Sequence, residues 1–431
     1  MRVGLYTWGS EGDVRPFVAL ALGLSRAGHD VRLGYVAVDG RDYGGLAAPI
    51  AARAVGVAEI ASARATGGAA DAALAGKGTP LQQIREVLEH LLDPAVSAMW
   101  DDAAETIAGC DVVVSHLLHH PASALALAHR IPLVTVQPAP VHPTRHLPPM
   151  GAPNLGPLNA LLWWVANRVG RTWFVPRFNG SRERAGVPLL VDMFPRPDRD
   201  VALALTCVSP SLVPRPADWE DSQRIPGFFE IPSAHASQGV ALPADLERFL
   251  GAGEPPVLMG FGSMLSNPSE DTRFCVRVML EAAELSGRRA LVQAPWDFVN
   301  DAPSSDAKAS SPNVFRLGRV PHALVLPRCA AFVHHGGAGT THTACLAGTP
   351  SVVVPFLGDQ FFWASRLRAL GVAPAPVPRR ALTAKKLAKQ IRAVVGDAGT
   401  STRARELARA MSREDGVGQA VRWIEEVPAS R

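Results

Sequence analysis

Residues 332–341 read Phe-Val-His-His-Gly-Gly-Ala-Gly-Thr-Thr, an apolar strand followed by a glycine-rich turn and the start of a helix. The first N–H groups of a helix have no partner inside it, and the positive end of the helix attracts anions. Glycine allows the backbone to bend sharply and to approach a phosphate closely. The stretch therefore predicts a phosphate-binding cradle built from His335, the N–H groups of Gly337 and Gly339, and the hydroxyl of Thr340.

A second apolar strand and a polar pair follow this cradle. Residues 352–354 are all valine, and Asp359 and Gln360 come about twenty residues after the cradle. Their side chains offer acceptors suited to the hydroxyls of a sugar. A glycine-rich turn by itself often only joins a strand to a helix, and an Asp-Gln pair by itself can be a surface loop. The two features together favour a site for a nucleotide sugar.

Two motifs at opposite ends of the chain resemble one family, the inverting nucleotide-sugar glycosyltransferases of the GT-B fold. Within that family they are similar to the bacterial natural-product and sterol glucosyltransferases. The block 319–363 resembles the donor-binding signature, and residues 9–17, Gly-Ser-Glu-Gly-Asp-Val-Arg-Pro-Phe, resemble the acceptor-side motif. The middle of the chain carries little resemblance. The resemblance implies an α/β chain in which two Rossmann-like parallel-sheet domains face each other across a cleft.

Composition limits the class of protein. A length of 431 residues suggests two or three domains. The net charge is only +4, and the basic residues are dispersed, which gives no reason to expect a nucleic-acid partner. The five cysteines are scattered without a C-x-x-C pair, which indicates buried free thiols in a reducing compartment. The chain begins with a strand pattern and has no apolar run of membrane-spanning length, so we expect a cytoplasmic protein without a transmembrane segment.

Apolar strands alternate with helical patterns in both halves of the chain, which is typical of βαβ units with a parallel sheet. We predict an N-terminal acceptor-binding domain over 1–209, a Pro-rich interdomain linker over 210–243 and a nucleotide-sugar-binding domain over 244–408. Residues 409–431 form a C-terminal helix, which the resemblance implies returns to the N-terminal domain.

An irregular stretch at 138–195 interrupts the first domain and is rich in Pro, Trp and Arg. Such an insertion usually carries substrate contacts. The alternative is a helical pair that only covers the sheet. We expect its aromatic residues Trp163, Trp164, Trp173 and Phe174 in the core or in the wall of an acceptor pocket rather than in a membrane-facing belt.

Asp13 is the first candidate for the base that takes the acceptor proton. It follows the first strand, where a carboxylate faces the crevice of an open parallel sheet, and burial has to raise its pKa for this role. The alternative is a helix N-cap, because Pro16 follows three residues later. The matching family position carries the presumed base. We expect Ser10 and Gly12 of the same motif to contact the donor.

His116, after the strand 111–115, is the second candidate as a base or helper, and His119 is a weaker one. Plant-type members of the family have a His at the position of Asp13, helped by an Asp elsewhere. This chain departs from that pattern, so the partner of Asp13 stays open.

The resemblance assigns the remaining donor contacts. Ser263 corresponds to a second phosphate contact, Arg319 takes the place of a Trp that stacks on the base, and the backbone of Val320 holds the base edge. Thr343 stands where plant members have a ribose-binding Glu, which leaves uridine and thymidine both open. The chain has no D-x-D pair of the kind that binds a metal at the diphosphate, so we expect metal-independent transfer with no cofactor beyond the nucleotide sugar.

The predicted function is an inverting hexosyltransferase that moves a hexose from a UDP- or TDP-sugar to a hydroxyl of an apolar acceptor such as a polyketide or a sterol. One alternative is a nucleotide-sugar epimerase, which the Gly12-Asp13 motif disfavours. Another is a non-catalytic nucleotide-sugar-binding partner protein, which the intact Asp13 and Asp359-Gln360 disfavour. The sequence does not fix the acceptor, the sugar, or whether the protein is a monomer or a dimer.

Overall fold

A computed structural model describes the chain at residues 1–65, 80–193, 200–231, 241–265, 269–296, 312–318 and 320–428. The contacts divide these residues into two compact units. Unit 1 comprises 1–65, 81–193, 200–231 and 414–428, and unit 2 comprises the described residues between 241 and 413.

The described part of unit 1 contains a seven-stranded parallel sheet with the order β3-β2-β1-β4-β5-β6-β7. β1 and β4 are neighbours although they are far apart in sequence, so the strand order reverses between them. In an open parallel sheet this reversal forms a crevice at the carboxyl ends of the two strands, where ligands bind. The strands are β1 Arg2–Gly9, β2 Asp30–Ala37, β3 Ala51–Ala54, β4 Val112–His116, β5 Leu133–Gln137, β6 Leu203–Thr206 and β7 Gln223–Arg224.

β4 and β5 are buried along their whole length, as apolar strands are in a parallel sheet with helices on both faces. α1 packs on β1 and β2, and the last helix of the chain, α16, packs on α1. Gly23 permits this contact, because a Cβ at that position would collide with Val417. The helices of unit 1 are α1 Glu11–Arg26, α2 Gly44–Ala47, α3 Val57–Ala65, α4 Pro80–Val87, α5 Val96–Thr106, α6 His120–Ala128, α7 Asn159–Trp173, α8 Val175–Ala185 and α16 Gly416–Glu425.

Residues 210–231, which we expected in a linker, lie in unit 1. They bring β7 beside β6 through the pairs Ala204↔Gln223 and Leu205↔Arg224. A Pro-rich stretch can still donate a short edge strand, because two residues without proline are enough for these bonds. The domain boundary predicted at 209 therefore differs from the one in the structure.

The insertion at 138–195 contains α7 and α8, and α8 packs on α6. Trp163 is 4% exposed and donates its indole N–H to the Leu147 carbonyl oxygen over 2.8 Å. Trp164 is 62% exposed, so it does not lie in the core, and a place in a pocket wall stays a prediction. The reason is the phase of α7, in which neighbouring residues point in directions about 100° apart and cannot both face inward.

The described part of unit 2 contains a five-stranded parallel sheet with the order β10-β9-β8-β11-β12. The strand order reverses between β8 and β11. The strands are β8 Val257–Met259, β9 Ala290–Gln293, β10 Val314–Leu317, β11 Ala331–His334 and β12 Ser351–Val353. The helices are α9 Ala244–Gly251, α10 Glu270–Ser286, α11 His322–Val325, α12 Ala338–Leu346, α13 Gln360–Ala369, α14 Ala384–Gly396 and α15 Ala398–Met411.

The predicted α/β class with two parallel-sheet domains is confirmed. All five cysteines are free thiols, as predicted, and four of them are buried. None of the helices in the described part of the chain combines the length and the hydropathy that a membrane crossing requires.

Candidate active site

Asp13 lies in the first turn of α1, directly after the carboxyl end of β1. Its Oδ2 accepts from the backbone N–H of Ser10 over 2.9 Å and from the Ser10 hydroxyl over 3.2 Å. Gly9, at φ +141°, makes this possible, because a Cβ there would collide with the Asp13 carboxylate. The helix N-cap is therefore Ser10 rather than Asp13, and Asp13 closes the capping box from the third helical position.

His116 ends β4, next to β1, and faces the other oxygen of this carboxylate. Its Nε2 lies 3.7 Å from Asp13 Oδ1, which is longer than a hydrogen bond. The backbone N–H of Leu118 donates to His116 Nδ1 over 3.3 Å. Because Nδ1 accepts, a neutral His116 carries its proton on Nε2, the nitrogen that faces Asp13.

Burial lowers the pKa of His116 to about 4, so the ring is neutral at pH 7. Its one lone pair is then occupied by the Leu118 N–H. Asp13 Oδ1 is consequently the better proton acceptor of the two, and His116 is suited to orient Asp13 rather than to act as the base. The structure thus brings the two predicted catalytic residues within 3.7 Å of each other.

His119 does not join this pair. It caps α6 by accepting from the Ala122 N–H at Nδ1, its ring lies 5.5 Å from that of Tyr6, and burial lowers its pKa to about 3. Its position is explained by packing and by the helix cap.

The polar residues at the ends of β5 and β6 were not predicted from the sequence as site residues. Gln137 ends β5 and is buried, with its Nε2 2.6 Å from His142 Nε2 and 3.4 Å from Thr206 Oγ1 at the end of β6. Its Oε1 has no hydrogen-bond partner among the described residues. The signal was a polar residue at the end of an apolar strand in a parallel sheet, the same signal that pointed to Asp13 and His116.

In unit 2, the predicted phosphate cradle lies at the start of α12. Gly337 is the N-cap and supplies no side chain, so the first N–H groups of α12 have no capping oxygen from that residue. His335 is packed between two glycines: a Cβ at Gly337 would lie 2.5 Å from His335 Nε2, and one at Gly262 would lie 3.3 Å from its Cε1. Small residues on both sides are thus what admits the imidazole beside the helix start.

His335 is a neutral ring with spare hydrogen-bonding capacity. Burial, reinforced by the nearby His322, lowers its pKa to about 4. Its Nδ1 is buried and has no hydrogen-bond partner among the described residues. A polar atom of this kind next to a helix N-terminus is suited to an anionic ligand.

His334, by contrast, shapes the turn. Its Nδ1 accepts from the Gly336 N–H over 3.1 Å, and its ring stacks on Phe332. Gly336 has φ +90°, and a Cβ there would lie 2.7 Å from Val353 Cγ1 and 3.1 Å from the carbonyl oxygen of Gln360. The turn therefore packs directly against the segment that carries the second predicted donor motif.

Thr340 and Gly339 lie in the first turn of α12 and are half-buried. No atom of the described residues lies within 4 Å of a Cβ built on Gly339, apart from the helix itself and the flanking residues. The Thr343 hydroxyl donates to the Gly339 carbonyl oxygen over 2.9 Å. Packing within the protein therefore gives no reason for a glycine at 339, whereas close approach of a ligand gives one.

Asp359 precedes α13 and accepts from the Trp363 indole N–H over 3.0 Å at Oδ2. Burial raises the pKa of Asp359 to about 6. The Gln360 Oε1 accepts from the N–H groups of Phe356 and Leu357 over 2.7 and 3.3 Å. The Gln360 amide nitrogen donates to the Met264 sulfur over 3.7 Å, and the turn before α13 uses its oxygen, so one amide N–H remains for a ligand.

The remaining predicted donor residues are placed as follows. Val320 is half-buried and packs on the apolar cluster around Phe332. The backbone of Ser263 lies in the 3-10 turn Gly262–Leu265, and its side chain and the whole of Arg319 lie outside the described residues. Ser10 and Gly12 lie in unit 1 beside Asp13. Within the described parts of the chain, no group of three His, Cys, Asp or Glu residues is arranged to hold a metal ion.

Residues 298–425 match the family model described as the C-terminal domain of erythromycin biosynthesis protein CIII-like proteins. The chain is 32% identical to O-mycaminosyltylonolide 6-deoxyallosyltransferase of Streptomyces fradiae, over 100% of this chain and 98% of that protein. It is 30% identical to vancomycin aglycone glucosyltransferase of Amycolatopsis orientalis, over 88% of this chain and 87% of that protein. It is 29% identical to sterol 3-beta-glucosyltransferase UGT80B1 of Arabidopsis thaliana, over 98% of this chain and 67% of that protein.

Solved structures show the same fold. The glycotransferase of kitacinnamycin superposes with a TM-score of 0.69 at 21% identity, over 99% of both chains. Spinosyn rhamnosyltransferase SpnG in complex with thymidine diphosphate superposes with a TM-score of 0.64 at 19% identity, over 99% of this chain and 100% of that chain. These likenesses confirm the predicted GT-B fold.

Proposed function

Because the chain belongs to the GT-B glycosyltransferases of natural products and sterols, and is therefore a hexosyltransferase, we propose that it uses a UDP- or TDP-hexose and a hydroxyl of an apolar acceptor. We further propose that transfer proceeds with inversion and without a metal ion. The observation that carries the proposal is the start of α12, where a buried neutral His335 with an unused nitrogen stands beside uncapped backbone N–H groups.

The diphosphate of the donor is proposed to bind at this cradle. The N–H groups of Gly337 and Gly339, the Thr340 hydroxyl and His335 all donate to phosphate oxygens, and the positive end of α12 adds its field. As the bond to the sugar breaks, negative charge grows on the leaving diphosphate, and preorganised donors stabilise that charge most in the transition state. This stabilisation replaces the one that a divalent cation supplies in metal-dependent transferases.

The sugar is proposed to be held by the second motif of unit 2. Asp359 Oδ1 accepts from a ring hydroxyl, while the amide N–H of Gln360 that does not point at Met264 donates to another. The acceptor proton is proposed to go to Asp13 Oδ1 in unit 1, while the Ser10 N–H and hydroxyl hold the other carboxylate oxygen and His116 faces Oδ1 across 3.7 Å. The acceptor oxygen then attacks the anomeric carbon, the bond from that carbon to the diphosphate oxygen breaks, and a single displacement inverts the configuration.

The named relatives support an apolar acceptor without identifying it. One is named for transfer to a mycaminosyltylonolide, another for transfer to the vancomycin aglycone and a third for transfer to a sterol. Their names also specify different sugars, 6-deoxyallose in the first case and glucose in the others. We therefore propose the acceptor class only, and a hexose rather than one particular sugar.

The test is a transfer assay with UDP- and TDP-hexoses against a panel of macrolide, glycopeptide and sterol acceptors, run in excess chelator. We expect at least one glycosylated product by mass spectrometry, with an inverted anomeric centre by NMR. Donor that is epimerised without any glycosylated product would contradict the proposal, as would a product that forms only after magnesium is restored.

A further inference from the structure

Large apolar side chains on the surface of unit 1 are concentrated in one place. Of the ten large hydrophobic residues that are exposed in the described chain, seven lie between positions 155 and 191, with exposures from 46% to 74%. Scattered single apolar residues are normal on a protein surface, whereas a contiguous group marks an interaction site. We define this group as the apolar patch: Leu155, Leu158, Leu161, Trp164, Val165, Leu189 and Val191.

Most of the patch is one face of α7 and of the turn before it. Leu158, Leu161 and Trp164 follow one another at three-residue spacing, which places them on the same side of the helix. The buried face, about 100° away from Trp164, is fixed to unit 1 by Trp163, whose indole N–H donates to the Leu147 carbonyl oxygen. The hydrogen bond of Trp163 fixes the rotation of α7 about its axis, and this rotation directs Trp164 outward.

The segment 189–193 runs beside α7 and extends the patch. Asn167 Nδ2 donates to Asp192 Oδ1 over 2.8 Å, and the Met193 N–H donates to Asn167 Oδ1 over 3.1 Å. A Cβ at Gly170 would lie 2.5 Å from the Met193 sulfur, so the segment packs closely against the helix. The segment that carries the exposed Leu189 and Val191 is therefore held against α7.

The surroundings of the patch are basic. Arg168 and Arg171 follow Trp164 on the same side of α7, at four- and three-residue spacing, and α7 contains no Asp or Glu. Residues 145–193 carry four further Arg, but Arg177, Arg182 and Arg184 pair with Asp93, Asp200 and Asp101, and Arg171 pairs with Asp192. The cation of α7 that has no acidic partner among the described residues is therefore Arg168, which is exposed.

We propose that the apolar patch binds an anionic lipid surface. A helix that lies in the plane of a membrane has Leu and Trp on one side, which enter the acyl boundary, and Arg nearby, which pairs with lipid phosphates. α7 and its flanking segments have both features. A second copy of this chain fits the surface less well, because association through α7 would bring together two helices that carry Arg and no acidic residue.

Lipid binding would place unit 1, which carries Asp13, at the surface of the lipid bilayer in which an apolar acceptor dissolves. The proposal does not rest on the proposed glycosyl transfer, because binding to lipid is measured without donor or acceptor.

The experiment is co-flotation of the full chain with vesicles of phosphatidylcholine alone and of phosphatidylcholine with a quarter phosphatidylglycerol. We expect binding to the anionic vesicles to be about tenfold stronger than to the neutral ones, and to weaken when salt is raised from about 0.1 M to about 0.5 M. The double variant Leu161→Glu, Trp164→Glu should lose at least about tenfold of this binding, whereas Trp164→Phe should retain most of it.

Two matched controls separate the patch from general effects of charge and apolarity. Leu285, which is 50% exposed in unit 2, is changed to Glu, and the exposed Arg409 of α15 is compared with Arg168 by the same change to Glu. Leu285→Glu and Arg409→Glu should bind anionic vesicles nearly as well as the unchanged chain, and Arg168→Glu should bind less. UDP or TDP binding and the circular dichroism melt confirm that each variant is folded.

Absence of vesicle binding by the unchanged chain at low salt would overturn the proposal, and so would equal binding by the Leu161→Glu, Trp164→Glu variant. A dimer in light scattering that only this variant abolishes, without vesicle binding, would assign the patch to a second copy instead. Loss of binding to the same extent in Leu285→Glu would show that the patch is not the site.

Discussion

Gly339→Ala tests whether the glycine at this position is required for folding stability or for ligand binding. In the described structure no neighbouring atom lies within 4 Å of the added Cβ, and the φ angle of Gly339 is not in the left-handed region. Alanine is the better helix former, so we expect the free energy of unfolding to stay constant or to rise by about 0.4–1 kcal/mol. From its effect on folding alone, Gly339→Ala should therefore give a protein that is at least as stable as the unchanged chain.

Ligand binding should change in the opposite direction. Each Cα–Cβ bond of a helix tilts toward the helix N-terminus, so a Cβ at 339 points to where the diphosphate is proposed to bind. If it displaces one phosphate oxygen from the backbone N–H groups, the loss is one hydrogen bond to a charged group, about 1.5–3 kcal/mol. This corresponds to UDP or TDP binding that is roughly 10- to 150-fold weaker.

The assay is calorimetric titration of UDP and TDP, together with urea unfolding of the same samples. Gly180→Ala is the matched control, because Gly180 lies inside α8 of unit 1 and likewise has no atom within 4 Å of an added Cβ. It should show the same gain in stability with unchanged nucleotide affinity. Unchanged nucleotide affinity in Gly339→Ala as well would refute the assignment of the α12 start as the phosphate cradle.

Further predictions concern the other groups of the site. His335→Ala should slow transfer by an amount equivalent to roughly 2.7–4 kcal/mol, as expected for removal of a donor to a developing anion, and kcat/KM with unchanged circular dichroism is the measurement. Asp13→Asn should lower the single-turnover rate by roughly 10²–10⁴-fold with normal donor binding, and a near-normal rate would remove Asp13 as the base. His116→Ala should cost less than Asp13→Asn, and the double variant should cost no more than Asp13→Asn alone if the pair acts as one unit. The free energy of unfolding should fall as the pH is lowered from about 6.5 to about 4, because unfolded His takes up a proton in this range while buried His116 and His335, with pKa values of about 4, do not. Each such His contributes at most roughly 1.4 kcal/mol of this loss per pH unit. A urea midpoint that is constant over this range would contradict the lowered pKa values. Burial raises the pKa of Asp359 to about 6 and also raises the pKa values of Asp102 and Glu230, so these three carboxyls oppose the loss; seven histidines with lowered pKa values outnumber them.

Local rules were sufficient where the chain itself sets the geometry. The turn after β1 and the glycine-rich start of α12 are short segments in which strand, turn and helix follow directly from residue type. The parallel sheets also follow, because alternating strands and helices permit few other arrangements. The candidates at these strand ends were therefore found from the sequence, and so was the proximity of Asp13 and His116.

Features that depend on distant partners were not accessible in the same way. β7 pairs with β6 across the Pro-rich stretch, and nothing in two residues, Gln223 and Arg224, signals a strand. The adjacent Trp163 and Trp164 of α7 are the same residue type, and only the fold decides that Trp163 meets the Leu147 carbonyl oxygen. The Gln360 oxygen is used by backbone N–H groups of its own turn, a bond that depends on the turn conformation and not on the residue pair.

The choice between base and helix cap for Asp13 shows why residue type alone left the question open. The two roles compete only if one oxygen has to serve both. In the structure Oδ2 accepts from the Ser10 N–H and hydroxyl, while Oδ1 faces His116. The cap fixes the carboxylate at the carboxyl end of β1, and the fixed carboxylate presents its second oxygen to the crevice between β1 and β4. Capping is thus what orients the proposed base, and the same geometry explains why Gly9 must lack a side chain.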